Sequence, residues 1–201
     1  MKQLTKQTLI ASILPLLSGL MVLFMPDFDA VFAWLTIGIY LLLIMLPGIL
    51  YLKYKNRKNK EIVYRLTAKY MMYAFLLFWI FPILKLFSNN SVVQFLLLAI
   101  FISMLYLARY DQNTKVPIIF PGDDKKHKKI AYVYYALPLL FLIPVAGSGN
   151  VVAARRMAEQ LGHSKTMMLF SIVIYLFSCW LLFFFSSITY KSHVKEGFLD
   201  E

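Results

Sequence analysis

Long runs of apolar residues without a charge constrain this chain more than any other feature of its sequence. A run of about eighteen such residues is long enough to cross the ~30 Å hydrocarbon core of a bilayer as an α-helix. Inside lipid the backbone must satisfy its own hydrogen bonds, which leaves helices or closed β-barrels. The sequence lacks the strict alternation of apolar and polar residues that barrel strands need. The runs therefore predict an all-α membrane protein.

Six runs approach this length, and polar segments separate them. They cover residues 8–25, 31–52, 70–87, 92–108, 130–146 and 167–190. We therefore expect a polytopic integral membrane protein, a bundle of about six transmembrane helices that forms a single domain over residues 1–201. The fifth run is the shortest and contains Pro138 and Pro144, so the alternative is that it dips into the membrane and returns.

The composition supports a membrane location and argues against nucleic acid as a partner. Apolar residues make up 60% of the 201 residues and charged residues 15%, whereas soluble domains are nearer 45–50% and about 25%. The net charge of +11 comes largely from segments beside the runs, where basic residues set topology and meet anionic lipid headgroups. Lys125 and Lys126 are candidate contacts to lipid or to a partner protein.

The distribution of Lys and Arg predicts the orientation. With six spans, only Lys85, Arg155, Arg156 and Lys165 of the 21 basic residues fall on the side opposite to the termini. The positive-inside rule then places both termini in the cytoplasm, with the protein in the cell membrane. Another interpretation of the N-terminus is a signal peptide, with Lys2 and Lys6 before an apolar core. A convincing cleavage site is missing, and the second run follows almost at once, which favours a helical hairpin.

A short amphipathic helix is predicted over residues 150–165, before the last span. Asn150 is a good N-cap, and Gly162 suits the C-terminal cap. Arg155 and Arg156 are its candidate contacts to a partner or to lipid. The simplest interpretation is a packed connector, and the alternative is a docking surface or gate.

The sequence offers no recognisable chemistry for catalysis, a cofactor or a metal. The acidic residues fall in loops, turns or tails, including Asp111 after the fourth run, whereas ion-coupled transporters often hold a carboxylate near the midplane. His127, His163 and His193 are far apart and form no metal-ligand pair. A lipid-modifying enzyme would need residues such as His163 and Asp123 to converge, and six spans place these two on opposite sides.

Prolines inside the runs indicate where a cavity or hinge is expected. The candidates are Pro47, Gly48, Pro138 and Pro144.

Lys85 lies near the end of the third run, and we expect its ammonium to snorkel to the headgroups. Gln94 is expected to form a hydrogen bond between helices. Tyrosines beside the second basic loop, Tyr134 among them, are predicted to anchor the chain at the interface.

These observations predict a non-enzymatic accessory or interaction protein, similar in role to an immunity or sensor component, that binds a membrane partner or a peptide. The alternative is a small-molecule transporter or the substrate-binding membrane subunit of one. Membrane lipids and a protein in the membrane are the expected partners, without a cofactor.

Overall fold

A computed structural model describes residues 2–54, 61–112, 128–138, 159 and 162–194. The regular secondary structure of these residues is entirely α-helical. The helices are α1 (Lys2–Phe24), α2 (Ala30–Lys53), α3 (Glu61–Leu86), α4 (Ser91–Gln112), α5 (128–138) and α6 (His163–Val194).

Four segments of these helices are long and apolar enough to cross a membrane. They are Ala30–Lys53, Leu66–Leu86, Ser91–Asp111 and His163–Phe185, and Ser12–Phe24 forms a shorter apolar helix. The prediction of an all-α membrane protein is confirmed. The number of six spans stays a prediction, since residues 139–146 of the fifth run lie outside the described residues.

Two helices begin earlier than the apolar runs indicate. The third begins at Glu61 rather than at residue 70, and α6 begins at His163 rather than at residue 167. A helix satisfies its own backbone hydrogen bonds, so it does not have to end where the apolar stretch ends. Residues 163–165 thus belong to α6 and not to the predicted amphipathic helix, whose residues 150–158 lie outside the described part of the chain.

The chain divides into two units, residues 1–97 and residues 98–201, with the boundary inside α4. The prediction of a single domain stays a prediction. In the first unit α3 is central and packs against both α1 and α2. Half of the membrane-length part of α3 is buried, against 11% of that part of α2. This difference identifies α3 as the inner helix of the unit and α2 as a peripheral one.

Aromatic rings form much of the core of the first unit. Phe78 of α3 is fully buried and lies 5.3 Å from the ring of Tyr40 and 5.8 Å from that of Phe81. Phe81 in turn meets Phe32 edge to face at 5.3 Å. These spacings fall in the range that favours aromatic pairs. The rings therefore join α2 to the C-terminal part of α3.

Polar residues mark the turns between the helices of the first unit. Asp29 caps α2, because its Oδ1 accepts hydrogen bonds from the backbone nitrogens of Val31 at 2.8 Å and Phe32 at 3.3 Å. The Asn90 side chain accepts from the Val93 nitrogen at the start of α4. Residues 87–89 form the turn between α3 and α4.

The second unit is described for the end of α4, α5 and most of α6. Its buried residues include Phe101 and Ala108 of α4 and Ala131 of α5. On α6 the buried residues follow one stripe, formed by Ser171, Tyr175, Ser178 and Leu182. Spacings of three and four residues place them on one side of the helix, which is the side that packs inward.

Candidate functional site

A buried lysine holds three segments of the first unit together. Lys85, near the end of α3, is 6% exposed. Its Nζ donates to the backbone carbonyls of Val22 at 2.5 Å, Leu23 at 3.1 Å and Asp27 at 3.2 Å. An ammonium has three donors, so each has an acceptor here. The end of α1 and the turn after it are thereby tied to α3.

The expectation that Lys85 snorkels to the headgroups is wrong. The last four carbonyls of a helix have no partner within the helix, and a positive charge near them is favourable. Val22 and Leu23 belong to this last turn of α1, which ends at Phe24. Lys85 therefore finds its acceptors inside the protein and has no need of the headgroup layer.

The end of α3 is bound in a similar way by α4. The Nε2 of Gln94 donates to the carbonyl of Leu84 at 2.9 Å. Leu84 lies in the last turn of α3, which ends at Leu86, so this bond also satisfies a helix-end carbonyl. The predicted hydrogen bond of Gln94 between two helices is confirmed. One hydrogen-bonded layer thus joins the ends of α1 and α3 to the beginnings of α2 and α4. We call it the clamp layer, and it consists of Lys85, Gln94, the Asp29 cap and the backbone carbonyls of Val22, Leu23, Asp27 and Leu84.

A second polar contact ties α2 to the middle of α1. The Tyr40 hydroxyl donates to the carbonyls of Leu16 at 2.7 Å and Pro15 at 3.4 Å. The ring reaches the α1 backbone because residue 19 is a glycine. A Cβ at Gly19 would overlap the Tyr40 hydroxyl and lie 2.7 Å from Cζ. Gly19 is therefore required by close approach.

In the second unit Tyr134 and Trp180 form a reciprocal pair. Their rings stack at 5.0 Å with an interplanar angle of 14°. The Tyr134 hydroxyl donates to the Trp180 carbonyl at 2.6 Å, and the Trp180 Nε1 donates to the Tyr134 carbonyl at 3.0 Å. Phe177 and Phe184 stack on Trp180 at 5.4 and 6.1 Å. Tyr134 thus joins α5 to α6, whereas the sequence suggested an interfacial anchor.

Asp111 is a buried carboxyl group of the second unit. The sequence suggests a place in the loop after the fourth run, and this is wrong, because α4 continues to Gln112. Asp111 lies in the last turn of that helix and is 4% exposed. Among the described residues, no group of three or more His, Cys, Asp or Glu is arranged to hold a metal ion.

The outer face of α2 is apolar and open. Trp34, Leu41 and Leu42 are 73%, 58% and 67% exposed. Gly38 lies between them on the helix surface, and a Cβ added there would have no neighbour within 4 Å. The described part of the chain therefore packs nothing over this glycine. We call the surface formed by Trp34, Gly38, Leu41 and Leu42 the glycine face.

The predicted hinge and contact residues are only partly described. Pro47 lies inside α2, which continues to Lys53, and Gly48 is exposed with open space around it. Pro138 ends the described part of α5. The other candidates lie outside the described residues: Pro144, Lys125, Lys126, Arg155 and Arg156. A cavity or hinge at these positions stays a prediction.

No protein-family model, curated protein or solved structure matches this chain. The polar contacts of the first unit were accessible to sequence reasoning only in part. A lone lysine inside a membrane run is compatible with an internal partner as well as with snorkelling, and its acceptors lie 58 to 63 residues away along the chain. Backbone carbonyls occur at every residue, so their identity carries no sequence signal.

Proposed function

We propose that this chain is a non-enzymatic membrane interaction protein that binds a transmembrane helix of a partner through the glycine face of α2. The observation that carries the proposal is the open space around Gly38 on an exposed apolar helix. Close packing between membrane helices depends on small residues that let two backbones approach. Gly38 offers such a position, flanked by the larger side chains of Trp34, Leu41 and Leu42.

The cost of glycine supports a role for this position. In a helix interior, glycine is about 1 kcal/mol less favourable than alanine. At Gly19 the Tyr40 contact explains the glycine, whereas at Gly38, as at Gly48, the described residues supply no contact. We assign the partner contact to Gly38 because the exposed side chains of Trp34, Leu41 and Leu42 surround it. A partner helix that seats against Gly38 would supply one.

The use of buried polar groups supports an interaction role over chemistry or transport. Lys85 and Gln94 donate to backbone carbonyls of neighbouring segments. The hydroxyls of Ser18, Thr36 and Thr67 donate to carbonyls of their own helices. These side chains stabilise the fold, and a substrate would have to compete with backbone acceptors for them.

We further propose that the protein lies in the cell membrane with both termini in the cytoplasm. The distribution of Lys and Arg supports the cytoplasmic side, and the pairing of Tyr134 with Trp180 supports a full fifth span, which puts both termini on one side. At 1.5 Å per residue, Trp180 lies about 25 Å along α6 from His163, and Tyr134 about 9 Å along α5 from Lys128. If the fifth run returned to its own side, Lys128 and His163 would start at the same membrane surface, and the two rings would lie at different depths. A full fifth span avoids this conflict.

Site-specific photocrosslinking in native membranes tests the partner helix. A benzoylphenylalanine at Leu42, beside Gly38, is expected to give a discrete protein adduct. The same probe at Leu96, an exposed position of α4, serves as the matched control and should give lipid adducts only. The substitution Gly38→Ile should abolish the adduct at Leu42 without lowering the thermal stability of the purified protein, because nothing in the described chain packs there.

Two results would contradict the proposal. One is that the probes at Leu42 and Leu96 both react with lipid alone, which would leave the transporter as the stronger hypothesis. The other is a protein adduct at Leu42 that persists in Gly38→Ile. An adduct of twice the chain mass would identify the partner as a second copy of this protein.

A further inference from the structure

We propose that Lys85 is a tethered cation that occupies a carbonyl site for a primary ammonium group. The site consists of the backbone oxygens of Val22, Leu23 and Asp27. This inference concerns the clamp layer and does not depend on the partner helix proposed for α2.

The geometry of the site fits an ammonium ion. Three carbonyl oxygens lie 2.5, 3.1 and 3.2 Å from one nitrogen, which are hydrogen-bond distances for N–H donors. Two of the oxygens, those of Val22 and Leu23, belong to the last turn of α1, where the helix dipole favours positive charge. Carbonyl oxygens are also the ligands that replace the hydration shell of K⁺ in selectivity filters. The set therefore accepts a compact monovalent cation with three donors.

The covalent attachment of the ammonium to the chain through the Lys85 side chain explains why the carbonyl site needs no ion from solution. Lys85 carries its ammonium on a side chain of α3 that is only 6% exposed. A group held on the same chain has a high effective concentration at its binding site. The α1–α2 turn is thereby fixed on α3 whatever the ionic composition outside.

Chemical rescue of a truncated lysine tests the proposal. Lys85→Ala removes the ammonium and its stem and leaves space, whereas Lys85→Met removes the charge and keeps most of the stem. Both variants are expected to lower the thermal midpoint of the purified protein by roughly 5 °C. Added propylammonium should restore much of the loss in Lys85→Ala and little in Lys85→Met. Tetramethylammonium at equal ionic strength, which has no N–H donor, should restore neither.

The proposal is overturned if Lys85→Met is as stable as the wild type, or if propylammonium and tetramethylammonium act alike on Lys85→Ala. A labelling measurement on the unaltered protein covers the case in which the variants do not fold. Reductive methylation in native membranes should spare Lys85, whose three donors are engaged, and should modify the exposed Lys53 and Lys165. Lys85 should react once the protein is denatured. Methylation of Lys85 at the rate of Lys53 in the folded protein would also contradict the proposal.

Discussion

At the scale of single residues, the first unit depends on contacts between side chains and distant backbone. Lys85 and Tyr40 both donate to carbonyls of α1, and Gly19 permits the second of these contacts. The sequence indicates which residues are unusual for a membrane run, and Gln94 and Lys85 are such residues. It does not indicate which carbonyl each one meets, because that depends on how the helices are rotated and offset when they pack.

Gly19 provides a direct test of this close approach. We expect Gly19→Ala to destabilise the protein by about 1–3 kcal/mol, as overpacking does elsewhere, because the new Cβ would collide with Tyr40. Gly48→Ala is the matched control, since a Cβ there meets nothing within 4 Å. It should be neutral or slightly stabilising, because alanine favours helices more than glycine does. Thermal unfolding of the purified variants measures both, and equal stability of the two would contradict the contact.

At the scale of helices, apolar runs and polar turn residues predict which helices exist and in what order. They predict less well the residues at which each helix begins and ends. The turn of residues 87–89 and the cap at Asp29 follow polar residues that are visible in the sequence. The start of α3 at Glu61 is missed, because a hydropathy run registers only the apolar part of a helix and not its continuation into a polar stretch of sequence. The same reason explains why Asp111 belongs to α4 and not to the loop after it.

The cap of α2 is testable by two substitutions at one position. Asp29→Ala should cost about 1 kcal/mol, since the nitrogens of Val31 and Phe32 lose their acceptor. Asp29→Asn keeps an acceptor oxygen and should retain most of the stability. Thermal midpoints of the two variants distinguish the outcomes. If Asn were as damaging as Ala, the carboxylate charge rather than the cap would be the source of the effect.

At the scale of the whole chain, the sequence predicts the class of protein and leaves its function open. The helical membrane character follows from apolar runs, which depend only on composition along the chain. The glycine face was not predicted, because a glycine in a run has the same sequence signature whether a neighbour packs on it, as at Gly19, or nothing does, as at Gly38.

The proposed orientation gives a prediction for the ends of α6. In a Cys179→Ser background, a cysteine at Ser164 should react with a membrane-impermeant maleimide added to intact cells. A cysteine at Ser192 should react only after the cells are permeabilised, since six spans place it in the cytoplasm. The reverse pattern would make the fifth run re-entrant and would contradict the depth argument from Tyr134 and Trp180.

The order in which the chain is synthesised gives the Lys85 contact a further consequence. Val22, Leu23 and Asp27 leave the ribosome 58 to 63 residues before the lysine that will bind them. At 5–20 residues per second this delay lasts roughly 3–13 s. During that interval the carbonyls lack the lysine donor and are satisfied in part by water at the membrane surface, although that of Val22 also accepts from the Met25 nitrogen at 3.4 Å. The arrival of α3 replaces that water with Lys85 and closes the hairpin, which makes the first unit complete only when its third helix has been inserted.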